Sequence, residues 1–250
     1  MGVVFAVANQ KGGVAKTTST HALGVTWGNA GKRVLLVDAD PQASLTYSAG
    51  VDPDLLEQSL YEVLIDKVPA DDVVVSTDTF DLLPATIDLA SAEIQLMTRA
   101  GREYALARSL AAMGADYDIT LVDCPPSLGL LTINALTAAD EVLVPMLCDT
   151  LSARGVRQLR DTITDVREYT NPKLRLRGVI ATMFDSRTRL GRDVLTDMRE
   201  RSGLDVLEPP VPRSVRVAEA PRRGRSIVQS APNSPSAEAY RQLAHGLVST

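Results

Sequence analysis

The chain alternates short, continuous apolar runs with longer segments in which apolar residues recur every three to four positions. The runs are rich in β-branched residues and do not alternate with polar ones, a pattern typical of strands buried on both faces of a sheet. They predict strands at Val3–Ala8, Val34–Val37, Phe80–Leu83, Ile119–Val122, Glu141–Pro145 and Gly178–Met183. The intervening segments predict helices at Thr17–Gly31, Leu55–Ile65, Ala90–Met113, Leu128–Ala138, Ser152–Tyr169 and Gly191–Ser202, and a last helix over Ser236–Leu247.

This order of elements predicts an α/β fold: one domain, residues 1–250, with a mostly parallel twisted sheet flanked by helices on both faces. The most irregular stretch, rich in Pro and Arg, runs from Glu208 to Arg225. No apolar run approaches the roughly 20 residues that a membrane-spanning helix needs. The tail at residues 237–250 has only Arg241 and His245 as basic candidates, too little charge for strong binding to a membrane surface. We therefore expect a cytoplasmic protein that does not act on a membrane.

Charge is distributed unevenly along the chain. Residues 1–150 hold 8 Lys/Arg and 20 Asp/Glu, whereas residues 151–225 hold 17 Lys/Arg and 10 Asp/Glu. The overall net charge of −5 hides this difference. The asymmetry predicts a localised basic surface on the second part of the chain, which suits a polyanionic partner.

A phosphate-binding loop is predicted directly after the first strand. Residues 9–18 read NQKGGVAKTT, a glycine-rich turn between a strand and a helix. Such a turn directs backbone N–H groups towards an anion, and the helix dipole favours the same charge. Gly12 and Gly13 permit close backbone approach, Lys16 would contact the β- and γ-phosphates, and the hydroxyl of Thr17 would bind Mg²⁺. The remaining predicted nucleotide-binding residues of the loop are Val14, Ala15 and Thr18.

Carboxylates follow two later strands. Asp38 and Asp40 come just after the second strand, and Asp123 ends the apolar run at residues 119–122. Because parallel strands end at the same edge of the sheet, these side chains are expected near the loop. An acid in the position of Asp123 typically holds Mg²⁺, often through water. Asp40 followed by Pro41 is also compatible with simple turn chemistry.

Together these residues resemble the ParA/Soj ATPases of the deviant Walker A superfamily. The signature is Lys11, five residues before Lys16, within KGGVAKTT; DADPQ at 38–42 and DCPPSLGLLTINAL at 123–136 extend it. The resemblance implies ATP and Mg²⁺ as cofactors. It also implies that Lys11 reaches the phosphates of a partner subunit, that Asp40 orients the attacking water and that Asp38 supports the metal shell. Ala15 stands where the family usually has Gly, which matters if that position needs a positive φ.

The resemblance continues through residues 182–188 and 211–221, so it covers nearly the whole chain. It implies an adenine site formed by Met183 with Pro212, Arg213 and Ser214. It further implies that Arg187 and Arg216 bind DNA without sequence preference. Neighbouring arginines predicted to join them are Arg189, Arg222 and Arg223.

The function implied by the resemblance is DNA partitioning. An ATP-bound homodimer would bind non-specific double-stranded DNA on the nucleoid, and a ParB/Spo-type centromere-binding protein would stimulate hydrolysis and release. Three alternatives stay open: arginines that are merely solvated or bridge the dimer, a MinD-like or cargo-positioning ATPase, and a metabolic enzyme such as an ATP-dependent amidoligase or a nitrogenase-type reductase. The spacing of Cys124 and Cys148 does not support the cluster that such a reductase needs.

Overall fold

A computed structural model describes residues 2–113, 117–148, 152–201 and 205–248; side chains are described at all of these positions except 152–157 and 201. Within these ranges the strands form one sheet in the order β3-β4-β2-β5-β1-β6-β7-β8. The strands are β1 (Val3–Val7), β2 (Val34–Asp38), β3 (Val75–Ser76), β4 (Asp81–Leu83), β5 (Ile119–Asp123), β6 (Glu141–Leu147), β7 (Arg175–Thr182) and β8 (Val206–Leu207).

Every strand pair in this sheet is parallel except β3 with β4. All five residues of β2 and all five of β5 are buried, so both faces of the central strands are covered. This explains why their sequences are continuously apolar rather than alternating. The predicted α/β fold with a mostly parallel sheet is confirmed.

Helices cover both faces of the sheet. They are α1 (Lys16–Asn29), α2 (Ser44–Ser48), α3 (Leu60–Ile65), α4 (Ala70–Val73), α5 (Leu89–Met97), α6 (Ala105–Ala112), α7 (Leu130–Ala138), α8 (Ser152–Tyr169), α9 (Arg189–Arg201), α10 (Val215–Glu219), α11 (Ile227–Ser230) and α12 (Pro235–Val248). Short 3₁₀ turns occupy Pro53–Leu55, Arg102–Tyr104 and Ala220–Arg223. No helix of the described ranges is long and apolar enough to cross a membrane.

Two predicted helices are wrong in extent. The apolar period across residues 90–113 continues through a break, where Gly101 adopts φ 62 and separates α5 from α6. The helix predicted from Leu55 begins only at Leu60, because the Ser59 side chain accepts a hydrogen bond from the Tyr61 N–H and Glu62 closes the capping box. The two-residue strands β3 and β8 are too short to leave a periodic signal.

The last helix is part of the core, and it packs against the helix that follows the phosphate loop. The indole Nε1 of Trp27 in α1 donates to the carbonyl of Ala244 in α12 at 3.0 Å. The hydroxyls of Ser19 and Tyr240 are also 3.0 Å apart, and Tyr240 is fully buried. The C-terminal helix α12 therefore packs against α1, and its Tyr240 lies close to the phosphate-binding loop.

Candidate nucleotide-binding site

The loop after β1 has the backbone geometry of an anion cradle. Gly13 has φ 71 and Ala15 has φ 66, and α1 begins at Lys16 immediately afterwards. Ala15 therefore adopts the left-handed conformation despite its methyl group. A Cβ added at Gly12 or Gly13 would meet no atom of the described residues within 4 Å. The space above the loop is open, and the first N–H groups of α1 are available to an anion there.

Two polar residues that sequence reasoning missed fix the loop to the sheet. Asn9 is buried; its Oδ1 accepts from the Lys11 N–H at 3.0 Å and its Nδ2 donates to the Pro145 carbonyl at 2.7 Å. At the other end of the loop, the Thr182 hydroxyl lies 3.1 Å from the carbonyl oxygen of Val14. Asn9 could have been found as a polar residue ending a buried strand, whereas Thr182 belongs to β7, distant in sequence.

Lys16 is held inside the loop. Its side chain is buried, and its Nζ donates to the carbonyl of Lys11 at 3.3 Å. Burial lowers the pKa of Lys16, while the charges of Asp123 and Asp40 act in the opposite direction. A desolvated ammonium beside an open backbone cradle is suited to contact with a phosphate group.

Asp123 lies opposite Lys16 at the end of β5, and its carboxylate is incompletely satisfied. The side chain is fully buried; Oδ1 is 3.4 Å from the Thr20 hydroxyl, while Oδ2 has no hydrogen-bond partner within the described part of the chain. Burial raises the pKa of Asp123 to about 8, reinforced by the charge of Asp38 and opposed by a hydrogen bond from Thr17. An orphaned buried carboxylate oxygen is costly unless a cation or water binds there.

The neighbouring Asp38 is engaged within the protein. Its Cα is paired with that of Asp123 across the two strands. One oxygen accepts from the N–H and the hydroxyl of Thr46, both at 2.8 Å, and the other accepts from the Asp40 N–H at 3.2 Å. Burial raises the pKa of Asp38 to about 6 despite these hydrogen bonds. Asp38 thus positions the segment that carries Asp40, and the predicted support of a metal shell stays a prediction.

Asp40 is buried at the rim of the same edge, and its Oδ1 accepts from the Gln42 N–H at 3.0 Å. This local turn fixes the carboxylate close to the end of β2. Asp40 therefore forms the turn that its sequence predicts. This turn uses Oδ1, so it is compatible with a role of Oδ2 in orienting a water molecule.

A cavity of about 870 Å³ adjoins the loop. Gly13, Ala15 and Thr18 line one side of it. The four residues predicted to contact adenine line the other side: Met183, Pro212, Arg213 and Ser214. They are brought together because the segment after β7 pairs with residues 211–213. The Phe184 N–H donates to the Val211 carbonyl, and the Arg213 N–H donates to the Phe184 carbonyl, both at 3.0 Å. The volume of this cavity is within the range of about 300–1,000 Å³ usual for small-molecule sites.

Arg187 lines the same cavity but is already paired. Its Nε and one terminal nitrogen donate to the two oxygens of Asp185, each at 3.0 Å, and this fork lowers the pKa of Asp185 to about 2. The guanidinium is otherwise exposed. Arg189, at the start of α9, lies 3.5 Å from Asp193 in an exposed ion pair.

The other arginines predicted to bind DNA lie beyond the cavity. Arg216 in α10 and Arg223 in the following 3₁₀ turn are exposed and share a pocket of about 190 Å³ with Glu219 and Ser230. Arg222 is exposed beside them. The structure therefore brings Arg216 and Arg223 together, while Arg187 precedes α9 and Arg189 begins it.

The residues at this edge fit a magnesium nucleotide. No group of three His, Cys, Asp or Glu side chains within the described ranges could hold a metal by itself. Mg²⁺ is typically bound through one or two protein oxygens, with water and substrate phosphates completing the shell. The orphaned oxygen of Asp123, the hydroxyl of Thr17 and the open cradle supply that arrangement.

The chain is similar to known partitioning proteins over nearly its whole length. An AAA domain family (AAA_31) matches residues 2–176. The chain is 44% identical to the sporulation initiation inhibitor protein Soj of Bacillus subtilis (98% of this chain, 97% of Soj) and 42% identical to the chromosome partitioning protein ParA of Caulobacter vibrioides (98% and 94%).

A solved structure with the same fold carries a different name. It is described as cobyrinic acid a,c-diamide synthase from Mycobacterium smegmatis with a bound ATP analogue and magnesium. It is 50% identical to this chain, with a TM-score of 0.90 over 99% of this chain and 95% of that one. Because the identity to Soj and ParA extends along almost the entire sequence, the chain belongs to the ParA/Soj family of P-loop ATPases.

Proposed function

We propose that this protein is an ATP-hydrolysing switch that partitions DNA, with ATP and Mg²⁺ as its cofactors. The observation that carries the proposal is the buried pair at the phosphate loop: the Lys16 ammonium faces an open cradle, and beside it Asp123 keeps a carboxylate oxygen without a partner. Lys16 binds the β- and γ-phosphates. Thr17 and Asp123 hold the magnesium ion, which neutralises phosphate charge.

The remaining residues at the sheet edge orient the reaction. Phosphoryl transfer depends mainly on positioning and on fixed positive charge. Asp38 fixes the segment of Asp40 through the backbone N–H at 3.2 Å, and Asp40 orients the attacking water. Lys11 reaches the phosphates bound by a second subunit, so that hydrolysis requires an ATP-bound homodimer.

DNA binding is proposed for the exposed arginines after β7. Arg216 and Arg223 form the centre of this basic surface, and Arg222 extends it; Arg187 precedes α9 and Arg189 begins it. Arginine suits phosphate contacts, which supply affinity without reading sequence. In a dimer the surface is doubled, which makes DNA binding dependent on ATP. A ParB-type partner that stimulates hydrolysis then resets the switch.

A membrane-acting function of the MinD kind finds less support. The apolar face of α12 is buried against α1, with Tyr240, Leu243 and Leu247 in the core. A helix used in this way does not offer that face to a lipid surface. Under the proposed function the protein acts on the nucleoid in the cytoplasm.

The test is binding of a non-specific duplex with ATP, with ADP and without nucleotide, at two salt concentrations. We expect binding only with ATP, and a loss of log K with log salt of about 0.9 for each phosphate neutralised. In parallel, Asp40→Ala should stay dimeric with ATP in light scattering, because it blocks hydrolysis but not binding. Equal DNA binding in all three nucleotide states contradicts the proposal.

A second candidate function is ATP-dependent amide formation on a small carboxylic acid. It is favoured by the name of the structure that is 50% identical. This function predicts ATP turnover that depends on an added carboxylic acid and on ammonia or glutamine. Turnover that responds to DNA and not to those compounds excludes it.

A further inference from the structure

We propose that a second groove, formed by α3, α5 and α6, is a docking site for an acidic amphipathic segment of a partner protein. This feature, called the basic groove below, is a cavity of about 860 Å³. It shares no lining residue with the nucleotide cavity. Its occupant is therefore distinct from the nucleotide, and the inference does not depend on the proposed DNA-partitioning function.

The floor of the basic groove is aliphatic. Val63 and Leu64 of α3, Leu96 of α5 and Ala105 of α6 line it and are buried in the core. Ala100 lines it as well and is exposed at its edge. A floor of this kind accepts the apolar face of a helix, with anchors at positions i, i+3 and i+4.

The rim carries a concentration of positive charge that the rest of this region lacks. Residues 1–150 contain 8 Lys/Arg against 20 Asp/Glu. Two of the eight belong to the phosphate loop and two to the turn at 32–33. All of the other four line the basic groove: Lys67, Arg99, Arg102 and Arg108. Among the residues described as lining it, none is acidic.

The arginines are held in place by backbone carbonyls. A terminal nitrogen of Arg99 donates to the Ile65 carbonyl at the end of α3, at 2.6 Å. Arg102 donates to the Met97 carbonyl at the end of α5, also at 2.6 Å, and Arg108 donates to the Gly101 carbonyl at 3.1 Å. The first two hydrogen bonds satisfy carbonyls at the ends of α3 and α5. Arg102 also donates from Nε to Glu103 at 2.9 Å, whereas the guanidinium groups of Arg99 and Arg108 have further N–H donors for an outside acceptor. The hydrogen bonds thus fix the direction in which each arginine leaves the backbone.

The spread of the charges selects the class of occupant. Lys67 lies in the turn after α3, Arg99 and Arg102 follow α5, and Arg108 lies in α6, so the charges come from three segments of the chain. A helical segment with several carboxylates can pair with Lys67, Arg99 and Arg108 while it buries its apolar side, and Arg–carboxylate pairs are strong and directional.

The test titrates the full chain with a fluorescein-labelled amphipathic peptide that has Leu on one face and Glu on the other. A second peptide carries Gln in place of Glu. We expect saturable binding of the first peptide, and a rise in Kd of about tenfold or more for the double variant Lys67→Glu, Arg108→Glu. The matched control, Lys32→Glu with Lys173→Glu, reverses two exposed lysines elsewhere and should leave Kd within about twofold.

A variant that keeps the charges tests the apolar floor. Ala100→Trp fills the edge of the basic groove at an exposed position, and we expect Kd to rise about fivefold while ATP turnover is unchanged. Equal binding of the Glu and Gln peptides, or indifference to the double reversal, would overturn the proposal. Capture of anionic phosphatidylglycerol vesicles without peptide binding would overturn it too, because the occupant would then be a lipid surface.

Discussion

The carboxyl edge of the sheet and the exposed surface that carries Arg216, Arg222 and Arg223 differ in how their charges are held. At the sheet edge, Lys16 and Asp123 are buried beside the phosphate-binding loop and interact electrostatically. On the second surface, Arg216, Arg222 and Arg223 are exposed to solvent. In the first region the fold itself determines where each charge lies. In the second, the fold determines only which part of the surface is basic.

This difference sets the kind of effect that a mutation should have. No other group can replace a buried charge that is removed. Its neighbours are then left unpaired, and the chemistry that depends on the charge is lost. An exposed arginine adds to a sum of phosphate interactions, each of which is screened by salt. We therefore expect all-or-none effects at the sheet edge and graded effects on the arginine surface.

The largest effect is expected for Lys16→Ala. The substitution removes the buried positive charge nearest the phosphates, and ATP hydrolysis should fall by about 10²–10³-fold, the usual effect of losing a charge-stabilising group. Phosphate release, measured with and without DNA, checks this. Lys173→Ala, at an exposed lysine, serves as the control. Turnover within about threefold of the unsubstituted protein would show that Lys16 does not contact the reacting phosphates.

The double variant Arg216→Ala, Arg223→Ala is the corresponding test of the exposed surface. DNA affinity in the presence of ATP should fall by about 10–30-fold, and the slope of log K against log salt should decrease by about 1 for each phosphate that is no longer neutralised. ATP hydrolysis without DNA should stay unchanged. A weaker affinity without any change of the salt slope would mean that these arginines act within the protein instead.

Burial at α1 predicts a dependence of stability on pH. His21 packs edge-on against Phe80, with ring centroids 5.5 Å apart, and burial lowers its pKa to about 4. Because the unfolded chain binds the proton near pH 6.5, stability falls as pH drops from there towards 4. The free energy of unfolding should decrease by about 1 kcal/mol between about pH 7.5 and 5.5 from this residue alone. Urea unfolding of His21→Met should lack that part of the decrease, whereas His245→Met should keep it.

A smaller effect should come from the ion pair within the nucleotide cavity. Asp185 holds Arg187 in a two-pronged hydrogen bond. Asp185→Asn weakens this hold, and if Arg187 contacts DNA, affinity should tighten by about two- to threefold at low salt. The same titration on Asp185→Asn with Arg187→Ala supplies the control. Unchanged affinity in the single variant would restrict Arg187 to a role in the cavity.

The sheet edge was predictable from the sequence because its parts are local or follow a simple rule. The loop at residues 9–18 is contiguous, and Asp38 and Asp123 lie at the ends of apolar runs, which parallel strands bring to one edge. The supports of the site were not predictable. Thr46, Thr182 and Tyr240 reach it from α2, β7 and α12, and a hydroxyl group carries no periodic signal.

The break between α5 and α6 was missed for a related reason. The apolar period is the same on both sides of Gly101, so only its backbone conformation separates the two helices. In the same way, sequence alone left open whether Ala15 tolerates the turn, since the question concerns a single φ angle. The described structure gives that angle as 66°.

Ala15→Gly converts this angle into the smallest and most specific test of the loop. A left-handed Ala strains the folded state by about 1–2 kcal/mol, and Gly removes this strain. Gly also raises the conformational entropy of the unfolded chain, which favours unfolding by about 0.5–1 kcal/mol. The substitution should therefore stabilise the protein slightly, by less than about 1 kcal/mol, with unchanged hydrolysis. Ala30→Gly is the matched control, because Ala30 is exposed at the end of the same helix and has a negative φ of −85. This substitution relieves no strain, so it should destabilise the protein by about 0.5–1 kcal/mol. If urea unfolding shows both variants destabilised equally, position 15 does not adopt a positive φ, and the cradle above Lys16 has a different shape.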